Sequence, residues 1–141
     1  MAEALAKILC VDDEPFLLAA LSRSLRGRYA VTTALNAHEA LQLMEEAAFD
    51  VVVCDLGMPG IDGIELLRRL RARWPQTVRI LLTGFGPAVL TERGVEADLI
   101  FRCLDKPAPA EVITAALQAA IGPRRTELCD AGLRISPALP M

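Results

Sequence analysis

Aromatic side chains are scarce in this sequence, at 4% of its 141 residues, and histidine occurs only once. Because few rings are available, small aliphatic side chains must fill the core, and an apolar share of 53% suits a sheet that is buried on both faces. The single histidine, His38, falls in the first turn of a predicted helix and is interpreted as a solvated surface residue.

A length of 141 residues supports one domain with a tail rather than two domains.

Clustered positive charge and long apolar runs are also lacking. The 15 basic and 18 acidic residues give a net charge of −3, and no stretch gathers lysines and arginines as binding to a nucleic-acid backbone requires. No uninterrupted apolar run reaches the roughly 18 residues of a membrane span, and residues 1–7 lack the order of a signal peptide. We therefore expect a cytoplasmic protein that contacts no membrane and, through this segment, no nucleic acid. One concentration of arginines is interpreted as the solvated face of a helix: Arg68, Arg69, Arg71 and Arg73.

The four cysteines contain no CxxC pair, which argues against a zinc site or a redox motif. Three of them, Cys10, Cys54 and Cys103, lie inside apolar runs of the kind that form strands. Buried, reduced thiols are therefore favoured over a disulfide framework, because an intracellular domain of this size does not need covalent cross-links.

Short apolar runs alternate with stretches of helical period five times along the chain. The alternation predicts an α/β fold in which helices cover both faces of a five-stranded parallel sheet, giving three layers, α/β/α. The strand order expected for such a doubly wound, flavodoxin-like sheet is 2-1-3-4-5. The predicted strands are Lys7–Val11, Tyr29–Ala34, Val51–Asp55, Val78–Leu82 and Leu99–Leu104.

The last predicted helix spans Pro109–Ile121, with Val112, Ile113, Ala116, Leu117 and Ala120 on its inner side, and Gly122-Pro123 ends it. The domain is therefore predicted to span residues 1–122. Residues 123–141 show no periodicity and are interpreted as a linker or a disordered tail.

Polar residues interrupt the apolar runs where the predicted strands end. They are Asp12 and Asp13 after strand 1, Asp55 at the end of strand 3, Thr83 after strand 4 and Lys106 after strand 5. In an open parallel sheet, the carboxyl ends of the strands form a single ligand-binding crevice where the strand order reverses. The sequence therefore predicts that these five side chains share one site.

Three carboxylates in one crevice repel each other and need a cation between them. Oxygen ligands without histidine or cysteine favour Mg²⁺, which keeps several waters and bridges to a phosphate. A metal, a lysine and a hydroxyl around one carboxylate predict phosphoryl transfer, since this chemistry needs positioning and charge neutralisation above all. Asp55 is the nucleophile candidate, Lys106 and Thr83 would contact the phosphoryl oxygens, and an aspartyl phosphate would be the product.

The motif Asp55-Leu-Gly-Met-Pro-Gly-Ile-Asp62-Gly63, with Asp12-Asp13, Thr83 and Lys106-Pro107, resembles the response-regulator receiver family over about residues 5–122. The resemblance implies that Asp13, Asp55 and the backbone carbonyl of Gly57 ligate Mg²⁺ directly. It further implies that Asp12 acts mainly through water, that Thr83 is the switch hydroxyl, and that the peptide bond before Pro107 is cis. Implied partners are a histidine kinase or phosphotransfer protein, and a second copy of the chain bound through the face of helix 4, strand 5 and helix 5.

Two positions depart from the family pattern. Cys103 stands where the family usually places Tyr or Phe, so either Phe101, expected on the same strand face, replaces that ring, or the loop after strand 4 carries the signal. Gly57 stands where many relatives carry a side chain that affects access of hydrolytic water, so the lifetime of the phosphoryl group does not follow from the sequence.

Two other functions compete with a phosphorylation-driven switch. A phosphorylation-independent interaction module would be expected to have lost a residue of the pocket, and none is lost. A Mg²⁺-dependent aspartyl phosphatase would want an acid two residues beyond Asp55, where Gly57 stands. We therefore expect a switch that promotes only its own phosphorylation and dephosphorylation, rather than an enzyme.

Overall fold

The computed structural model describes residues 5–130 of the chain, with side chains through Ile121. Strands and helices alternate along it. The strands are β1 (Lys7–Val11), β2 (Ala30–Ala34), β3 (Val51–Asp55), β4 (Val78–Thr83) and β5 (Arg102–Asp105). The helices are α1 (Pro15–Leu25), α2 (Ala37–Glu46), α3 (Gly63–Arg73), α4 (Ala88–Glu92) and α5 (Ala110–Asp130).

The five strands pair in parallel in the order β2-β1-β3-β4-β5, which confirms the predicted sheet. An apolar cluster lies on each face: α2 and α3 pack on the side of Leu9 and Val11, and α1 and α5 pack on the side of Ile8 and Cys10. Strand β3 has a neighbouring strand on each edge and a helical layer on each face, so all of its residues are buried. That position explains why its sequence is a continuous apolar run instead of an alternating one.

Two helices begin where side chains satisfy their free amides. The Asn36 Oδ1 accepts a hydrogen bond from the amide of Glu39 at 2.9 Å, and the Glu39 carboxylate reaches back to the amide of Leu35 at 2.7 Å. The Asp62 Oδ1 caps α3 by accepting from the amide of Glu65 at 3.0 Å. These starts are therefore set by local sequence.

Strand β5 begins at Arg102, three residues after the predicted start, so this part of the prediction was wrong. Leu99 is fully buried although it precedes the strand. The Arg79 guanidinium donates to the carbonyl of Leu99 at 2.7 Å, and the Arg79 carbonyl accepts from the amide of Phe101 at 2.7 Å. The apolar run from Leu99 thus belongs to a packed turn. Hydrophobic periodicity does not distinguish such a turn from a strand.

Helix α5 continues through Gly122 and Pro123 to Asp130, so the predicted end at that pair was wrong. A proline removes one backbone donor and bends a helix without obliging it to end. Residues 131–141 lie outside the described residues, and the boundary between domain and tail stays a prediction. In the described part of the chain, neither α5 nor any other helix has the length and hydropathy to cross a bilayer.

The buried side of α5 is narrower than the sequence predicted. Ile113, Ala116 and Leu117 are buried, whereas Val112 is 43% exposed. The stripe of α5 that faces the sheet follows the i, i+3, i+4 spacing of these three residues, and Val112 lies beside it.

Cys10 and Cys54 are buried and unpaired, which confirms the prediction of buried thiols for these two residues. Burial raises the pKa of the Cys10 thiol to about 12, and burial also raises the pKa of Cys54, whose thiol donates to the Asp55 carbonyl at 3.3 Å. Cys103 is half-buried, and the side chain of Cys129 is outside the described part.

The side chains of the α3 arginines are 29% to 56% exposed, which confirms their interpretation as a solvated face, and they pair with carboxylates of this chain. Arg68 and Arg71 both bind Glu96, at 3.0 and 2.7 Å. The other ion pairs are Arg71 with Asp98 at 2.8 Å, Arg69 with Glu65 at 3.1 Å and Arg73 with Glu45 at 2.8 Å. Glu96 therefore ties the segment between α4 and β5 to helix α3.

Glu96 gives the fold a predicted sensitivity to acid. Hydrogen bonds from Arg68, from its own backbone amide and from Arg71 hold the pKa of Glu96 at about 2, below the ordinary 4.5. A carboxyl whose pKa is lower in the folded chain stabilises the fold above its unfolded pKa and loses that contribution as the pH falls through its folded pKa. In urea unfolding between about pH 6 and pH 2, the wild type should lose more stability than Glu96→Gln, and equal losses would contradict this prediction.

Candidate functional site

The polar residues at the strand ends lie along one edge of the sheet. Asp12 follows β1, Asp55 and Thr83 end β3 and β4, and Lys106 follows β5. Strand β1 has β2 on one side and β3 on the other, so the strand order reverses at this point. An open parallel sheet binds its ligands in the crevice that such a reversal creates.

Three carboxylates meet in this crevice. One oxygen from each of Asp12, Asp13 and Asp55 lies within 4.8 Å of the other two. Asp12 and Asp55 are buried while Asp13 is exposed, and Asp12 Oδ1 is oriented by the amide of Glu14 at 2.9 Å. Since two like charges about 4 Å apart repel by roughly 4 kcal/mol at an effective dielectric of about 20, this cluster needs positive charge beside it.

Lys106 supplies one such charge. Its Nζ donates to Asp12 Oδ2 and to Asp55 Oδ1, at 3.1 Å in each case. Burial disfavours the charged form of this lysine, but the hydrogen bonds to Asp55 and Asp12 outweigh burial and raise the pKa of Lys106. For Asp55, burial has the largest effect and, together with the charge of Asp12, raises the pKa of the carboxyl despite the hydrogen bond from Lys106.

The donor set suits a magnesium ion. One lysine offsets one of three negative charges, so a divalent cation would complete the neutralisation. The three converging ligand atoms are carboxylate oxygens, which Mg²⁺ prefers, and one carboxylate is exposed, which leaves room for water or a phosphate oxygen. The Gly57 carbonyl as a further ligand stays a prediction.

Thr83 links the crevice to the loop that leads into α4. Its side chain is fully buried, and its Oγ accepts a hydrogen bond from the amide of Phe85 at 3.0 Å. Its carbonyl accepts from the amide of Lys106 at 2.9 Å. The hydroxyl proton is left for another acceptor, and rotation of the Thr83 side chain would break its hydrogen bond with Phe85, which is 75% exposed.

Gly63 is a structural requirement of the site that the sequence interpretation missed. Its amide donates to the carbonyl of Leu56 at 2.9 Å, and a Cβ at this position would overlap the carbonyl oxygen of Asp55 and come within 2.8 Å of the Leu56 Cα. The sequence offered one signal: glycine is a poor choice for the first residue of a helix unless close packing demands it.

A cavity of about 360 Å³ adjoins the crevice beneath α1. Its walls are mainly apolar, with Leu18, Leu21 and Ile113 among them, and Asp12 and Lys106 stand at one end. Asp55 does not line this cavity.

The sequence matches the response regulator receiver domain over residues 8–118. The chain belongs to the response regulator receiver family. This membership confirms the resemblance found in the motifs, and receiver domains are in general signal transducers rather than enzymes. Receivers interact with histidine kinases or phosphotransfer proteins. The cis peptide bond between Lys106 and Pro107 also agrees with what the resemblance implied.

Similar proteins include a transcriptional regulator and two solved receivers. The hydrogenase transcriptional regulatory protein HoxA of Cupriavidus necator is 36% identical over 120 residues, which cover 84% of this chain and 25% of HoxA. The signal receiver domain of an HD domain-containing protein from Pseudomonas fluorescens superposes with a TM-score of 0.78 at 32% identity, over 87% of this chain and 99% of that one. A BeF₃-activated receiver domain of DrrB superposes with a TM-score of 0.75 at 30% identity, over 84% and 98%. The chain spans about a quarter of the length of HoxA and of two other curated transcriptional regulators that it matches.

A cavity lies beside Cys103, the position in β5 at which this receiver departs from its family. Cys103 pairs with Leu81 of β4, and a cavity of about 230 Å³ adjoins it, lined in part by Leu90 and Val95. Phe101 is 44% exposed and precedes β5, but it lines the same cavity as Cys103, so its replacement of the missing ring stays a prediction.

Proposed function

We propose that this receiver is a phosphorylation-dependent switch in which Asp55 accepts a phosphoryl group from a phosphohistidine of a histidine kinase or phosphotransfer protein. The observation that carries the proposal is the position of the Asp55 carboxylate. It lies within 4.8 Å of two other carboxylates and 3.1 Å from the Lys106 Nζ, at the sheet edge where ligands bind. We place this function in the cytoplasm.

The transfer needs one nucleophile and no proton shuttle on the receiver. A carboxylate oxygen of Asp55 forms a bond to phosphorus while the bond from phosphorus to the donor's imidazole nitrogen breaks, and that nitrogen keeps the electron pair. Lys106, already 3.1 Å from Asp55, is placed to donate to a phosphoryl oxygen. The Thr83 hydroxyl can donate its proton to a second phosphoryl oxygen, because the Thr83 oxygen only accepts in the hydrogen bond from the Phe85 amide.

The magnesium site that we propose consists of the carboxylates of Asp12, Asp13 and Asp55. The Gly57 carbonyl is an additional ligand, and Asp12 acts mainly through water. When bound, Mg²⁺ would supply positive charge against the phosphoryl oxygens. The exposure of Asp13 supports this assignment, because an ion held at an open edge is accessible to an incoming phosphate.

The face of α4, β5 and α5 is our candidate for contact with an output partner or a second copy of the chain. Phe101, which directly precedes β5, is 44% exposed, and Val112 on α5 is 43% exposed. Exposed apolar side chains favour a protein contact at such a face. We assign this chain no reaction besides its own phosphorylation and dephosphorylation.

Incubation with acetyl phosphate, followed by intact mass measurement, tests the proposal. We expect one phosphoryl group per chain with Mg²⁺ and none when a chelator removes the metal, because three clustered carboxylates repel a phosphate. Absence of an adduct at saturating Mg²⁺ would contradict the proposal in favour of a phosphorylation-independent interaction module. Continuous release of phosphate in large excess over the protein would instead indicate a phosphatase.

A further inference from the structure

Helix α4 has little packing of its own. It is five residues long and none of its residues is buried, although Val89 and Leu90 contact one core cluster in part. It lies between Gly86 and Gly94, whose φ angles are +79° and +63°. Both glycines adopt the left-handed conformation that other residues rarely reach, so they are suitable ends for a moving segment, which we define as residues 84–94.

The chain directly after this segment is firmly held. Glu96 binds Arg68 and Arg71, and Arg71 also binds Asp98. The Arg79 guanidinium donates to the carbonyl of Leu99 at 2.7 Å. If the segment moves, the displacement would therefore stop at Gly94 and would not extend into β5.

One side-chain ion pair joins segment 84–94 to the phosphorylation site. The Arg93 Nη2 lies 2.9 Å from Asp62 Oδ2, and within residues 5–121 it is the only ion pair that a side chain of the segment forms. Asp62 also caps α3 through the amide of Glu65, at 3.0 Å. The next residue, Gly63, packs backbone on backbone against Asp55 and Leu56. Arg93 thus binds a point that is fixed to the phosphoacceptor strand.

The other end of the segment is attached as well. The Thr83 Oγ accepts from the amide of Phe85 at 3.0 Å, so the segment is bound at its start to the switch hydroxyl and at its end to the β3–α3 loop. A change in the crevice would therefore reach the segment at one end through Thr83 and at the other end through the loop beside Asp55.

We infer that the Asp62–Arg93 ion pair couples the Asp55 site to α4, as a positioning contact in a receiver where Cys103 replaces the usual aromatic residue. The inference rests on the proposed function. Coupling of this kind is reciprocal: a contact that sets the position of α4 also biases the loop beside Asp55, so loss of the pair alters both.

Three variants isolate the ion pair. Asp62→Asn removes the charge and keeps the cap, because asparagine and aspartate cap helices about equally well. Arg93→Gln removes the partner charge. Arg73→Gln is the control, since it removes an ion pair of 2.8 Å from α3 that does not involve α4.

Hydrogen exchange of the full chain, read by mass spectrometry over residues 84–94, measures the coupling. Without additions, exchange should rise about two- to five-fold in Asp62→Asn and Arg93→Gln, the range that an exposed ion pair allows, and stay at the wild-type level in Arg73→Gln. With beryllofluoride and Mg²⁺, the wild type should change its exchange in this segment, and the change should fall by at least about half in both variants. High salt should raise exchange in the wild type but not in Arg93→Gln, because salt screens the pair.

If exchange over residues 84–94 in Asp62→Asn and Arg93→Gln equals the exchange in Arg73→Gln, the inference is overturned. Increased exchange with an undiminished response to beryllofluoride would also overturn it, because the ion pair would then hold α4 without coupling it to the site. In both cases a phosphoryl adduct on the wild type would leave the proposed function standing. If the wild type shows neither an adduct nor a response to beryllofluoride, the proposed function fails, and the coupling fails with it.

Discussion

Replacement of Asp55 by asparagine is expected to abolish phosphoryl uptake from acetyl phosphate in the presence of Mg²⁺. Asparagine has the same shape, but its amide is not a nucleophile. Loss of a nucleophile costs enzymes several orders of magnitude in rate, so uptake should fall by at least about 100-fold. Intact mass after a fixed incubation measures the loss. An adduct that persists would show that a residue other than Asp55 is the acceptor.

The Asp55→Asn chain should remain folded. Burial and the nearby charge of Asp12 raise the pKa of Asp55, so its ionised form is less favourable in the folded chain than in the unfolded one. A group with a raised carboxyl pKa adds stability as the pH falls through that pKa, and a neutral amide imitates its protonated form at neutral pH. The urea midpoint should therefore equal or exceed that of the wild type. Asp105→Asn, an exposed carboxylate at the end of β5, is the control and should take up phosphate normally.

Replacement of Gly63 by alanine is expected to destabilise the fold by roughly 1–3 kcal/mol, the usual cost of forcing an extra methyl group into a packed site. The new Cβ would meet backbone atoms of Asp55 and Leu56, which are not free to rotate away as a side chain would be. Because the contact is with Asp55 itself, phosphoryl uptake should also slow. Urea unfolding at constant m-value measures the loss of stability.

Gly57→Ala is the matched control for this prediction. It adds the same methyl group six residues earlier, in the loop before α3, at an exposed glycine where a Cβ would meet no atom within 4 Å. Its stability should stay within about 0.5 kcal/mol of the wild type. Equal losses in the two variants would show that Gly63 is needed for another reason than close approach.

Much of the fold follows from local patterns. The run Val51–Cys54 requires burial on both faces, and only a central parallel strand provides it. Asn36 and Asp62 mark helix starts because their side chains bond to amides three residues on. Where a pattern has two physical causes, prediction failed: the apolar run from Leu99 is a packed turn, and Pro123 does not end its helix.

By itself the sequence determined the five βα units, the parallel sheet and the set of side chains at its carboxyl edge, because periodicity, caps and strand ends are local properties. The meeting of Lys106 with Asp12 was predictable for the same reason: parallel strands bring their ends to one edge. Only the tertiary structure decided what depends on distant partners. Gly63 matters because the Asp55 backbone lies against it, and Arg93 matters because α4 brings it to Asp62, 31 residues away in the chain. No local pattern records such contacts, since each side chain is compatible with solvent until the fold supplies its partner.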